Sequence, residues 1–71
     1  MEKINDPIDP LTIQEINVLK LIADGHSNKD ISEVLNISPL TVKTHRQRII
    51  NKFHAKNFFE VISKALRYGL I

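Results

Sequence analysis

Residues 27–53 read SNKDISEVLNISPLTVKTHRQRIINKF, and this stretch decides the fold. Ser27 and Asp30 stand in the S-x-x-D spacing of a capping box, so a helix opens after Ser27. Over NKDISEVL, the apolar residues Ile31, Val34 and Leu35 recur at steps of three and four, and they are expected to bury one face. Asn36 tolerates the left-handed backbone region and ends that helix. Ser38 then caps a new helix with Pro39 at its first position, where a missing N–H costs nothing. The new helix runs to about Phe53. A short helix, a tight turn through Asn36 and Ile37, and a longer capped helix form a helix-turn-helix.

The flanks carry the same punctuation. Thr12 and Glu15 form a T-x-x-E box ahead of IQEINVLKLIAD, and Gly25 supplies the left-handed residue that stops it. Its expected apolar stripe is Ile16, Leu19 and Ala23, widened by Val18 and Ile22. Asn57 and Glu60 cap a fourth helix that ends at Gly69. No strand alternation occurs in the 71 residues. The class is therefore all-α, a four-helix domain over residues 11–71. MEKINDPIDP holds two of the three prolines and no periodicity, and is expected to be a flexible arm or linker over residues 1–10.

Composition excludes several classes. A chain this short forms one small domain. It has no cysteine for a disulfide or a thiolate metal site. Its apolar runs are only a few residues long, so no membrane partner is expected, and the expected location is cytoplasmic. Net charge is only +2 but unevenly placed: residues 1–26 sum to −3, residues 27–36 to −1, residues 37–57 to +5 and residues 58–71 to +1. Five of the nineteen residues from Ser38 to Lys56 are Lys or Arg, and none is acidic. A local basic element between acidic flanks suits a polyanion partner, although a solvated helix face would look the same on charge alone.

Helical geometry separates those two readings. At 100° per residue, Val42, His45, Ile49 and Phe53 fall within roughly 80° of one another and form the buried edge. Lys43, Thr44, Gln47 and Asn51 fall opposite, with Thr41, Arg48 and Lys52 on one shoulder and Arg46 on the other. Central hydrogen-bonding side chains flanked by cations match what a DNA major groove requires, base readers in the middle and phosphate holders beside them.

The segments LTIQE (11–15), LIADGHSNKDIS (21–32), TVKTH (41–45) and GLI (69–71), at this separation, resemble the LuxR-type helix-turn-helix domain. Such domains form the DNA-binding end of many bacterial response regulators and quorum-sensing regulators, and also occur as small stand-alone regulators. The resemblance covers Leu11 to Ile71. It implies sequence-specific binding of double-stranded DNA by a bacterial transcription regulator in the nucleoid, with the helix over 39–53 in the major groove. It implies that Lys43, Thr44 and Gln47 face the bases and that Ser27, Asn28, Lys29, Thr41 and Lys52 hold the phosphate backbone; Arg48 joins the latter by its shoulder position. The chain departs from the family pattern at Gln14 and Ile16, at Phe53 and His54 in place of Leu-Gly, and at Phe58 where Arg is common.

The resemblance also implies that the fourth helix forms a two-fold dimer. Phe58, Val61, Ile62 and Ala65 cluster on one side of that helix and are expected to pack inward. Phe59, Ser63, Leu66 and Leu70, at spacings of four, three and four, are left for a second copy, in a weak homodimer completed on DNA. The three histidines suggest no site: His45 is expected packed and hydrogen-bonded, His54 at a helix C-cap and His26 in a turn. Metal, cofactor and catalytic residues are all read as none, since no metal-ligand spacing, phosphate loop or paired carboxylates are present. The competing reading is a protein-interaction module contacting RNA polymerase or an acidic partner. Non-specific nucleic-acid packaging is a further one, but it predicts cations spread over several faces.

Overall fold

The computed structural model describes residues 8–71. Its elements, in order, are α1 (Ile13–Ala23), α2 (Asn28–Leu35), α3 (Pro39–Lys52) and α4 (Phe58–Arg67), with no strand among the described residues. No helix among them is long and apolar enough to cross a membrane. The starts follow local rules. Thr12 Oγ1 accepts from the Glu15 amide at 3.1 Å and Glu15 Oε1 accepts from the Thr12 amide at 2.9 Å, a reciprocal capping box. Ser27 and Asp30 repeat it at 3.1 and 3.5 Å. Ser38 Oγ accepts from the Thr41 amide at 3.0 Å with Pro39 in the first turn. Asn57 Oδ1 accepts from the Glu60 amide at 3.0 Å, but the Glu60 carboxylate reaches one residue further back, to the Lys56 amide at 2.7 Å.

The stops also lie close to their expected places. Gly25, Asn36, His54 and Gly69 all have positive φ. Helix α4 ends at Arg67 with Tyr68 as its C-cap, two residues before Gly69. Phe53 is the C-cap of α3, and His54 is the left-handed residue after it, at φ 53. A Cβ in that region crowds the following carbonyl, which costs about 1–2 kcal/mol in a side-chain-bearing residue. His54→Gly is therefore expected to raise stability by about 0.5–1 kcal/mol, the larger unfolded-state entropy of glycine offsetting part of the gain. A higher urea midpoint at unchanged slope would show it; a lower midpoint would mean the His54 contact with Asp9 outweighs the strain.

The core is Val18 and Leu19 of α1, Ile31 of α2, Val42, Ile49 and Phe53 from α3 and its cap, and Val61 and Ala65 of α4. Helix α3 runs through the middle, packed on all three other helices. Two expected stripes rotate. On α1, Ile16 and Ala23 are exposed, and Glu15 takes the inward place beside Val18 and Leu19. On α2, Val34 is 60% exposed and Ser32 turns inward instead, its hydroxyl donating to the Lys29 carbonyl at 2.7 Å. With its own acceptor one turn back, the serine is buried at little cost.

Of the expected arm, Met1–Pro7 lie outside the described residues. Ile8 packs against the core, and the Asp9 amide donates to the Lys52 carbonyl at 2.9 Å. Among the described residues, packing thus extends to Ile8, three residues before Leu11.

Candidate nucleic-acid interface

Helix α3 turns one face into the core and the other fully outward. Lys43, Thr44, Gln47 and Asn51 are all exposed, as are Thr41 and Arg48 beside them. Two of these side chains are already oriented. The Thr44 hydroxyl donates to the Leu40 carbonyl at 3.1 Å, which leaves its oxygen to accept. Gln47 Nε2 donates to Asn51 Oδ1 at 3.1 Å, so the two amides stand side by side, with the Gln47 carbonyl and the Asn51 amide protons still available. Lys43 has no acidic partner among the described residues.

The start of α2 presents a second set. Ser27, Asn28 and Lys29 are exposed. The amides of Asn28 and Lys29 lie in the first turn, where a helix has no acceptor of its own and the dipole favours an anion. The start of α3 adds the Ser38 and Thr41 hydroxyls, 2.9 Å apart and both exposed. Hydrogen-bonding face, cations and helix ends thus lie on exposed surfaces of the two helices of the helix-turn-helix.

Three cations are engaged elsewhere. Lys52 Nζ lies 2.7 Å from Glu15 Oε1, with the lysine side chain 27% exposed and the glutamate 2%. Burial pushes the Glu15 carboxyl up, but the hydrogen bond from Lys52, those from Thr12 and the Lys52 charge outweigh it and hold it below the usual carboxylate value. Arg46 lies over the Phe58 ring, 4.7 Å from its centroid, so the cation on the second shoulder packs against α4. Lys64 is buried on the inner face of α4, its Nζ donating to the Phe53 carbonyl at 2.9 Å. Periodicity alone could have flagged Lys64, a cation three residues after Val61 and one before Ala65, inside the apolar stripe.

The histidines lie where turns and packing put them. His26 and His54 are exposed, and His54 Nε2 stands 3.6 Å from Asp9 Oδ1. His45 packs half-buried, but its Nδ1 has no hydrogen-bond partner, contrary to the expectation of a bonded core histidine. No group of three His, Asp or Glu residues among the described residues could hold a metal.

On α4, Phe59 is 87% exposed and Leu66 61%, and Ser63 is exposed with them; Leu70, also exposed, lies beyond the helix, which ends at Arg67, and so leaves the expected helical stripe. Val61 and Ala65 are buried and Phe58 and Ile62 half-buried, so the inward and outward stripes separate. Phe59 and Leu66 also line an open apolar groove of about 720 Å³, together with Ile22, Phe58 and Ile62.

The model of the luxR family of bacterial regulatory proteins matches residues 9–65. The chain is 45% identical over 60 residues to an uncharacterised response regulatory protein, YgeK, of Escherichia coli K12, covering 84% of this chain and 41% of that protein. It is 40% identical over 67 residues to the oxygen regulatory protein NreC of Staphylococcus haemolyticus, covering 94% and 31%. It is 35% identical over 69 residues to the response regulator UvrY of Escherichia coli K12, covering 97% and 32%. The chain thus spans only a third to two-fifths of the length of these relatives. With four helices, a capped helix-turn-helix and this match over most of its length, the chain belongs to the luxR family of bacterial regulatory proteins, as a helix-turn-helix domain of DNA-binding transcription regulation.

Proposed function

We propose that this domain reads a specific sequence of double-stranded DNA with α3 in the major groove, in a bacterial transcription regulator acting at the nucleoid. The observation that carries the reading is the outward face of α3: Lys43, Thr44 and Gln47 exposed along one line, on a helix whose other face supplies Val42 and Ile49 to the core. Those three side chains offer donors and acceptors to base edges, while Ser27, Asn28, Lys29, Thr41 and Arg48 stand on phosphates. Lys52, which the family resemblance would add to the phosphate set, serves the fold first, because Glu15 holds its ammonium. Selection from a random duplex pool, followed by salt-titrated binding to the selected and an unrelated duplex, tests this reading. Sequence-specific readout gives a large affinity ratio; packaging gives a ratio near one; little binding to either points to an interaction module for RNA polymerase or an acidic partner.

The outward stripe of α4 supports a weak two-fold dimer completed on DNA. Phe59, Ser63 and Leu66 form an exposed seam on α4 with the spacing of helices packed at a shallow angle, whereas Leu70, expected as its fourth member, lies past the helix end after the left-handed Gly69. A seam this small predicts a monomer or weak dimer in free solution, and cooperative binding to two half-sites about one helical turn apart. Phe59→Glu is expected to remain folded, because the ring is not in the core, and to keep its affinity for one half-site while losing cooperativity on two. An unfolded variant, or one with cooperativity intact, would remove the seam assignment.

A further inference from the structure

Lys64 is 4% exposed, on the inner face of α4 between the core residues Val61 and Ala65. Lysines are seldom so deeply buried unless the ammonium is paired. Here the Nζ lies 2.9 Å from the Phe53 carbonyl oxygen, 3.5 Å from that of His54 and 3.7 Å from Glu60 Oε2. The Phe53 carbonyl is that of the α3 C-cap, where the last C=O groups have no donor within the helix and the negative end of the dipole lies, and the His54 carbonyl follows it directly. The carbonyl before them, that of Lys52, is taken by the Asp9 amide. The His54 and Ala55 amides close the Asn51 and Ile50 carbonyls locally, whereas the Lys52 and Phe53 carbonyls beyond them are closed from outside the helix, the last by a cation that belongs to α4.

We infer that Lys64 is a positioning residue for DNA recognition: it anchors the C-terminal end of α3 to α4 and so sets the angle at which Lys43 and Gln47 meet the bases. The inference rests on the DNA-binding reading above. Its physical basis is leverage. Lys43 lies ten residues before Phe53, about 15 Å along the helix axis, so a small shift at the anchored end is carried into the reading face. Hydrogen bonds to base edges weaken steeply with distance and angle, whereas contacts to phosphates tolerate displacement. Lys64 also sits on the face of α4 opposite Phe59 and Leu66, so one helix joins the proposed dimer seam to the end of the reading helix. Buried as it is, the Lys64 ammonium has no path to a phosphate.

The test uses the whole 71-residue chain as wild type, Lys64→Met and Lys64→Gln, at a temperature where circular dichroism shows each fully folded. The probes are the duplex that wild type selects from a random pool and an unrelated duplex of equal length. For Lys64→Met, affinity for the selected duplex is expected to fall about tenfold and that for the unrelated duplex less than about twofold, with the salt slope unchanged, because no phosphate contact is removed. Amide hydrogen exchange at residues 54–56 should accelerate, which reports the freed helix end without any DNA. Equal loss on both duplexes, a slope lower by about one, or unchanged affinity and exchange would each overturn the inference. If Lys64→Met does not fold at any temperature, Lys64→Gln, which keeps one donor for the carbonyl, is judged by the same criteria. A wild type that selects no sequence would refute the DNA-binding reading instead.

Discussion

Lys52→Met is expected to destabilise the domain by about 3 kcal/mol at neutral pH, the lower end of what removing one partner of a buried ion pair costs. The lower end applies because the lysine side chain is 27% exposed and part of the pair is screened by solvent. For a domain of this size, with a total stability of roughly 4–10 kcal/mol, that is a large fraction. The loss comes mainly from what remains behind: a Glu15 carboxylate 2% exposed, with only the Thr12 bonds to hold its charge.

The pH dependence identifies the cause. In the wild type the folded-state pKa of Glu15 lies below its ordinary value, so the stability it contributes is complete above the unfolded carboxylate pKa and is lost as pH falls through the folded one. In Lys52→Met the terms that came from the lysine are gone, and burial pushes the carboxyl up. Its penalty is then complete above the raised folded pKa and relieved as pH falls from there to the unfolded value. The gap between variant and wild type is expected to begin narrowing above the ordinary Glu value, as pH falls through the variant's raised pKa, and to go on narrowing until the wild-type carboxylate is also protonated. Urea unfolding at a series of pH values measures it. Parallel curves at every pH would show that the pair has no net worth and that Lys52 is free for a phosphate.

The second large effect concerns the reading face. Lys43→Ala is expected to cost about 1–3 kcal/mol on the selected duplex and to relax preference at one base pair, because a lysine on the line proposed to face base edges discriminates by hydrogen bonds rather than by charge alone. Lys29→Ala is the control. At the start of α2 it is proposed to hold a phosphate, so its loss should weaken all sequences alike and lower the salt slope by about one. Binding of both variants to a set of duplexes, each changed at one base pair, separates the roles. Equal weakening on every member of the set by Lys43→Ala would remove it from the base-reading residues.

How much of this was legible before the tertiary structure can be traced residue by residue. The four helices, their order and nearly all their ends follow from Thr12, Ser27, Ser38 and Asn57 at the starts and Gly25, Asn36, His54 and Gly69 after the stops. Caps and left-handed residues act over three or four positions, so the chain specifies them without reference to the rest of the fold. The outward face of α3 was legible for a related reason. Over fourteen residues, the core positions Val42 and Ile49 leave little freedom in where Lys43 and Gln47 must point.

Only the tertiary structure decided which residues meet across the chain. Short helices could not be oriented from their own pattern: in the eight residues of α2, exchanging Val34 for Ser32 on the buried face takes a rotation of only about 50°, with Ile31 still buried and Leu35 half-buried. The Glu15 to Lys52 pair joins positions 37 apart, Lys64 caps a helix to which it does not belong, and Arg46 spends its charge on Phe58. In the sequence Glu15 reads as a capping-box carboxylate, Lys52 and Arg46 as shoulder cations of α3, and Lys64 as a cation inside an apolar stripe, and no local pattern names the partner of any of them. Whether a charge faces water, a phosphate or a buried partner depends on how helices cross, and crossing angles are set by the fit of side chains on separate elements. That information is carried by no single segment of the chain, and it exists only once the helices have packed.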